Sequence, residues 1–320
     1  MRLTKIDEIH HGKNNRKKRQ NERVIVMAIT KRRYQLLKDF ALVSQFLINN
    51  YQLHLPTGNM PQPAWEYAHT HPNFLYQLTH RFGIWEDDGK MVGVANYEGQ
   101  LGECFLNSAI GYEFLKEEML NHAWEELFEQ IGDKKSLKVY ANSQDHHFIA
   151  ILQKLGYEKR YEYPITVYQY QQGFHHQDLP QGFSFISLED ELDYVKINDV
   201  IWKGFDHGDY PDQDIDCRIR MMSGPHFKKD LTIVIKAPNG DYACLAGMWV
   251  DEDNHYAYLE PLATAPKYRR MGLATFALME SMKRTMKYQA TYCYGGSREF
   301  YFSIGFKEVG KIQVWQKQSI

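Results

Sequence analysis

The sequence predicts an α/β fold built as two tandem halves. A strand pattern over residues 256–264 gives way through a glycine-containing turn to a helix pattern over 275–287, and the order of elements around that junction occurs twice along the chain. The chain has 320 residues. That length exceeds one ordinary core and suits two domains of roughly 150 residues each.

In the first half, residues 34–50 read as a helix. Residues 82–95 read as two strands joined by a turn at Asp88-Gly89, a dipeptide that favours the tight turns of hairpins. A helix pattern over 149–157 ends in Gly156-Tyr157 and is followed by a strand pattern over 161–168. Residues 169–180 have no sustained period and end in Pro180, so 171–180 is read as the linker. The second half repeats the hairpin with 231–236, a turn at Pro238-Asn239-Gly240-Asp241, and 243–250. It repeats the ending with 298–306 and a last strand over 311–316. Such an internal repeat sets the organisation: a basic extension over 1–26, a first domain over 27–170, the linker, and a second domain over 181–320.

The turn Arg269-Arg270-Met271-Gly272-Leu273-Ala274 has the composition of a phosphate site. Gly272 and Ala274 leave the backbone uncovered, so successive N–H groups and the positive end of the helix dipole can close around a diphosphate, and two arginines add positive charge. About twenty-five residues on stands Phe300-Tyr301-Phe302-Ser303-Ile304-Gly305-Phe306. With these two motifs in this order, residues 183–317 resemble the GCN5-related N-acetyltransferases, whose Arg/Gln-x-x-Gly-x-Gly/Ala turn grips the diphosphate of acetyl-CoA and whose second hallmark is the Phe-Tyr-x-x-x-Gly-Phe helix. The resemblance implies a mixed sheet, a tandem pair of acyl-CoA N-acyltransferase domains, acetyl-CoA as co-substrate and no metal. It assigns cofactor binding to Arg269, Arg270, Met271, Gly272, Leu273, Ala274 and Thr275, and contacts with the pantetheine arm to the backbone of Leu262, Ala263 and Thr264.

Acetyl transfer to an amine needs a group to take the amine's proton and a group to protonate the departing thiolate. Strand alternation puts residues 258, 260 and 262 on one face. The resemblance turns that face to the cofactor cleft, which makes Glu260 the base or amine anchor; as a bland alternative, it caps a strand end before Pro261. Tyr301 occupies the motif position whose hydroxyl lies beside the thioester sulfur, and a phenol pKa near ten suits a thiolate leaving group; otherwise it is one more aromatic beside Phe300 and Phe302. The loop 206–216 carries five aspartates. From it Asp206, Asp209, Tyr210 and Asp212 are the candidates for recognising an ammonium group, by charge and cation–π contact. His207, Asp209 and Asp212 lack a metal-specific spacing. His226, Trp249 and Trp202 fit a pocket or a core equally well.

The first half lacks the chemistry. Asn107-Ser108-Ala109-Ile110-Gly111-Tyr112-Glu113 contains no basic-x-x-Gly-x-small string, and Leu152 stands where the same count in the second half gives Tyr301. Glu117, Glu118, Glu125 and Glu126 on the following helix would repel diphosphate. The expectation is an enzyme, an N-acetyltransferase acting on a primary amine, with a silent first copy. The alternative is a non-catalytic acyl-CoA-binding sensor.

The formal net charge of −2 argues against nucleic acid as a partner of the whole chain. A run rich in lysine and arginine before Tyr34 is read as solvated, with Met27 an alternative start that would leave 1–26 untranslated. No apolar run of about 18 residues is present to cross a membrane. Four separated cysteines, Cys104, Cys217, Cys244 and Cys293, suit reduced thiols, and the absence of a leader pattern points to the cytoplasm. The sequence leaves a homo-oligomer open.

Overall fold

The computed structural model describes residues 29–319; the basic stretch 1–26 and Met27 lie outside them. Strand β1 (Ile29–Arg33) runs into α1 (Leu36–Asn49). The expected start at Tyr34 falls two residues early, because the Tyr34 N–H still bonds the sheet at Phe82 O, 3.0 Å away. Asp39 fixes the helix entry: it accepts the Gln35 N–H at 2.7 Å and pairs with the Arg32 guanidinium at 2.6 Å. Helix α2 (Gln62–Thr70) follows. The hairpin β2 (Gly83–Asp87) and β3 (Lys90–Asn96) turns at Asp88 and Gly89, whose φ values of 47° and 73° are the two positive angles of a primed turn. The half continues with β4 (Glu103–Ser108), α3 (Lys116–Glu126), β5 (Glu129–Ile131), β6 (Lys134–Asn142), α4 (His146–Lys154) and β7 (Glu158–Gln169).

After the connecting segment come β8 (Ser184–Ser187), α5 (Tyr194–Gly204) and α6 (Asp216–Met221). Asp193 caps α5 by accepting the Lys196 N–H at 3.1 Å. The predicted hairpin is β9 (Ile233–Lys236) and β10 (Tyr242–Asp251); every residue of β10 is buried, as suits a strand covered on both faces. Then follow β11 (Tyr256–Thr264), α7 (Leu273–Thr285), β12 (Tyr292–Gly295), α8 (Glu299–Ser303) and β13 (Lys307–Gln318).

Among the described residues thirteen strands form one sheet, in the order β1-β2-β3-β4-β6-β13-β7-β12-β11-β10-β9-β8, with β5 beside β6. The two halves have exchanged their last strands. The second half's β13 lies between β6 and β7 of the first, and β7 pairs in turn with β12 of the second, Tyr292 opposite Gln169. The linker therefore divides the chain but not the sheet. A large core built from residues of the first half also takes in Trp315 from β13. In the second half one core lies under α7, around Leu278 and Met282, and another under α5, around Ile197 and Val200. Cys104, Cys244 and Cys293 are buried and free. No helix among the described residues is long and apolar enough to cross a membrane.

Candidate active site

Strand β11 delivers the chain to the phosphate-like turn. Gly272 caps α7 with φ of 80°, a left-handed conformation that glycine adopts without strain, and no side chain caps this end. Among the described residues, the N–H groups from Arg270 to Thr275 have no acceptor. Six successive donors at a helix start form an anion cradle. A Cβ on Gly272 would come within 2.7 Å of the Gln177 amide, so a segment of the linker lies across the turn. Arg269 does not stand free: its guanidinium donates to Gly204 O at 2.9 Å and pairs with Asp206 at 2.8 Å, tying α5 to the turn. Arg270 and Met271 are exposed, whereas Leu273 and Thr275 are buried and offer the cradle only their backbone.

Strands β11 and β12 pair in parallel only from Tyr256 to Tyr258, against Tyr292 to Tyr294. Beyond that they separate, and a cavity of about 340 Å³ opens between them, lined by Glu260, Leu262, Gly295, Gly296, Arg298 and Tyr301 among others. The open N–H groups of the cradle fit a diphosphate such as that of acetyl-CoA.

Tyr258, Glu260 and Leu262 all line this cleft between β11 and β12, but not by simple strand alternation. A bulge sets Glu260 and Pro261 against the single residue Gly247, between the pairs Leu259–Met248 and Leu262–Ala246. The extra residue reverses the alternation. Leu262 thus packs towards α7, with Leu273 and Ala277, while Ala263 joins the core under α5. Gly247 is needed here, because a Cβ would lie 2.6 Å from the Glu260 carbonyl oxygen. The Trp249 indole donates to that oxygen at 3.1 Å.

Glu260 lines the cleft and also a larger cavity of about 560 Å³ between the halves, walled by Tyr67, His71, Trp202, His207, Arg218 and Arg220 among others. Burial, then the nearby carboxylate of Glu98, pushes its pKa up to about 8. Glu98 comes from the first half and is itself raised to about 7, by burial and then by Glu103. Tyr67 borders the cavities of both carboxylates. Burial also raises the Tyr301 phenol well above its ordinary value, with Glu260 adding to the effect, so Tyr301 stays protonated.

Of the aspartate loop, Asp212 lines the larger cavity, together with Asp214. Asp206 lines the cleft, its carboxylate engaged by Arg269. Asp209 and Tyr210 are both exposed, Tyr210 to 90 %, and neither lines a cavity that Glu260 lines. Trp202 lines the larger cavity, and Trp249 a small apolar recess beside Glu260. His226 instead bonds Glu66 of the first half, Nδ1 to Oε2, at 2.6 Å. Among the described residues no group of three or more His, Cys, Asp or Glu stands together as a metal site. Sequence reasoning missed Tyr67, His71, Glu98 and Arg218, which no spacing connects to Glu260 along the chain.

In the first half the corresponding cleft is filled by its own chain. Strands β4 and β6 pair only at Glu103–Lys138 and Cys104–Val139 before separating. The loop of residues 54–60 occupies the gap: Asn142 donates to His54 O at 3.0 Å and Leu55 O at 2.9 Å, and Asn59 donates to Tyr140 O. Lys116, at the start of α3, is 1 % exposed and is held by Thr57 O and Asp145. Calorimetry with CoA should accordingly give one equivalent per chain. Two equivalents would mean that this loop leaves the cleft and that the first copy binds too.

A splayed parallel pair beside an open N–H cradle defines the acyl-CoA N-acyltransferase class of fold. Residues 196–306 match the model of the acetyltransferase (GNAT) family. That match lies in the second half, and the chain as a whole has a fold similar to a tandem GNAT protein. Over 91 % of this chain and 95 % of that one, the fold is similar to a GCN5-related N-acetyltransferase from Sphaerobacter thermophilus, with a TM-score of 0.57 and 12 % identity. It is similar to a tandem GNAT protein from the clavulanic acid biosynthesis pathway over 91 % and 98 % of the two chains, with a TM-score of 0.57 and 10 % identity. A GNAT-family acetyltransferase from Colwellia psychrerythraea aligns over 90 % and 100 %, with a TM-score of 0.56 and 12 % identity. No curated protein sequence matches the chain significantly. The family match over residues 196–306 supports acyltransferase activity in general.

Proposed function

We propose that the protein is an N-acetyltransferase that moves an acetyl group from acetyl-CoA to a primary amine of a small molecule or peptide, by direct transfer in a ternary complex. One observation carries this reading: Glu260 lines both the cleft that contains Tyr301 and the larger cavity between the halves. A single carboxylate thereby faces donor and acceptor.

Acetyl-CoA supplies the activated acyl group. The N–H groups of Arg270 to Thr275 hold its diphosphate, and the backbone from Leu262 to Thr264 borders the pantetheine arm. Glu260 takes a proton from the amine as its nitrogen bonds the acyl carbon. A carboxylate raised to about 8 matches an ammonium group far better than one at its ordinary value. Tyr301 gives its phenolic proton to the sulfur as the carbon–sulfur bond breaks. An assay of free CoA release across a panel of amines, with acetyl-, propionyl- and succinyl-CoA compared, tests the reading; release with none of the amines would overturn it.

Glu260 also makes a pH prediction. Its folded pKa of about 8 exceeds the ordinary 4.5, so the folded state holds the proton more tightly than the unfolded chain. This contribution to stability is complete below pH 4.5 and is lost as pH rises towards 8. The melting temperature of the free protein should fall over that window, and Glu260→Gln should flatten the decline. In turnover the sign is opposite: kcat/KM should rise as Glu260 ionises near pH 8, and the rising limb should vanish in Glu260→Gln. An unaltered pH–rate profile in the variant would remove Glu260 from proton transfer.

A further inference from the structure

Glu260 and Arg218 of α6 line the larger cavity together, and both also line the small apolar recess beside Tyr67. Arg218 is only 6 % exposed. Its Nε donates to Asn198 Oδ1 at 2.9 Å and its Nη1 faces the Met221 sulfur at 3.0 Å. Among the described residues no carboxylate lies within 4.0 Å of this guanidinium. Asp212 and Asp214 line the same cavity but are exposed, and their carboxylates accept the N–H groups of Asp214 and Asp216 at 3.1 and 2.9 Å. Arg220 also lines the cavity, its guanidinium over the Tyr76 ring at 5.9 Å. Trp202 lines the cavity too, and its indole N–H has no acceptor among the described residues. His71, held low by burial and then by Arg218 and Arg220, adds no positive charge of its own.

A buried guanidinium without a counter-ion is costly, and a planar carboxylate is the group that matches its fork of donors. Glu260, on the same cavity, offers a carboxylate to an amine. We infer that the acceptor is an amino acid, whose carboxylate pairs with Arg218 while its amine faces Glu260. This rests on the acyltransferase reading and names the substrate class of that site. The first half then contributes to selectivity as well as enclosure, since Tyr67 and His71 line the same cavity.

The test compares matched pairs, each an amino acid and the amine left when its carboxylate is removed: lysine and cadaverine, ornithine and putrescine, phenylalanine and phenethylamine, alanine and ethylamine. With acetyl-CoA and free thiol as the readout, kcat/KM should favour the carboxylated member of at least one pair by roughly 30-fold or more. In Arg218→Gln that ratio should collapse to near one, chiefly through a higher KM for the amino acid, and Arg218→Lys should restore part of it. CoA stoichiometry and melting temperature report whether a variant has folded. Where Arg218→Gln does not fold, the wild-type ratio decides. Equal turnover within every pair, turnover only of the decarboxylated members, or turnover only of amines outside the panel overturns the amino-acid assignment and leaves the acyltransferase intact. Release of CoA with no amine of any class is the separate result that defeats the enzymatic reading.

Discussion

Gly272→Glu abolishes CoA binding: calorimetry that gives a clear one-site isotherm for the wild type is expected to give no heat for the variant, a loss of roughly 10²-fold or more in affinity. Two effects of the substitution act together. A side chain at φ of 80° is strained, and its Cβ meets the Gln177 amide at 2.7 Å. The larger effect is electrostatic, because a carboxylate enters a place where six successive N–H groups are left open for phosphate oxygens. The fold itself should persist. The nearest obstruction is the end of a flexible side chain, and a left-handed non-glycine residue costs only about 1 kcal/mol. Gly272→Ala separates the two effects, since it carries the strain without the charge and should retain part of the affinity. CoA bound by Gly272→Glu as tightly as by wild type would remove the cofactor site from this turn.

Tyr301→Phe lowers the rate of acyl transfer by roughly 10²–10⁴-fold, the range of a positioned general acid, with CoA affinity almost unchanged. The substitution removes one oxygen and keeps the ring. That ring packs edge-on against Phe300 and Phe306, with centroids 5.2 and 5.4 Å away, so packing and melting temperature should stay close to wild type. Because burial holds the phenol protonated, the lost rate should not return at lower pH within the stable range. Wild-type single-turnover rates in the variant would show that water or another group protonates the sulfur, and would leave Tyr301 a core aromatic.

Much of the fold was legible because its signals are local. Alternation and turn residues located the Asp88-Gly89 hairpin, and β11 begins and ends where its pattern does. Helix α7 begins two residues before its expected start, since Leu273 is already buried under the turn. Strand β13 begins four residues early, because pairing with β7 extends it to Lys307. The bulge at Glu260-Pro261 was not legible in this way. It depends on Gly247 of the neighbouring strand, and it moved Leu262 off the face that alternation assigns. Asp209 and Tyr210 looked suited to an ammonium group by composition alone, and composition does not say which side of a loop faces a cavity.

By itself the sequence determined the repeat, the glycine of the cradle, and the residue types at 260 and 301, each a matter of neighbours within a few positions. Only the tertiary structure decided the strand exchange, the loop of residues 54–60 that fills the first cleft, and the meeting of Tyr67, Arg218 and Glu260 around one cavity, with Glu98 on a second that Tyr67 also borders. The reason is physical. Local pattern fixes backbone conformation and which residues seek burial, whereas a cavity between two halves is set by how their sheets pair, and no spacing in the chain records that contact.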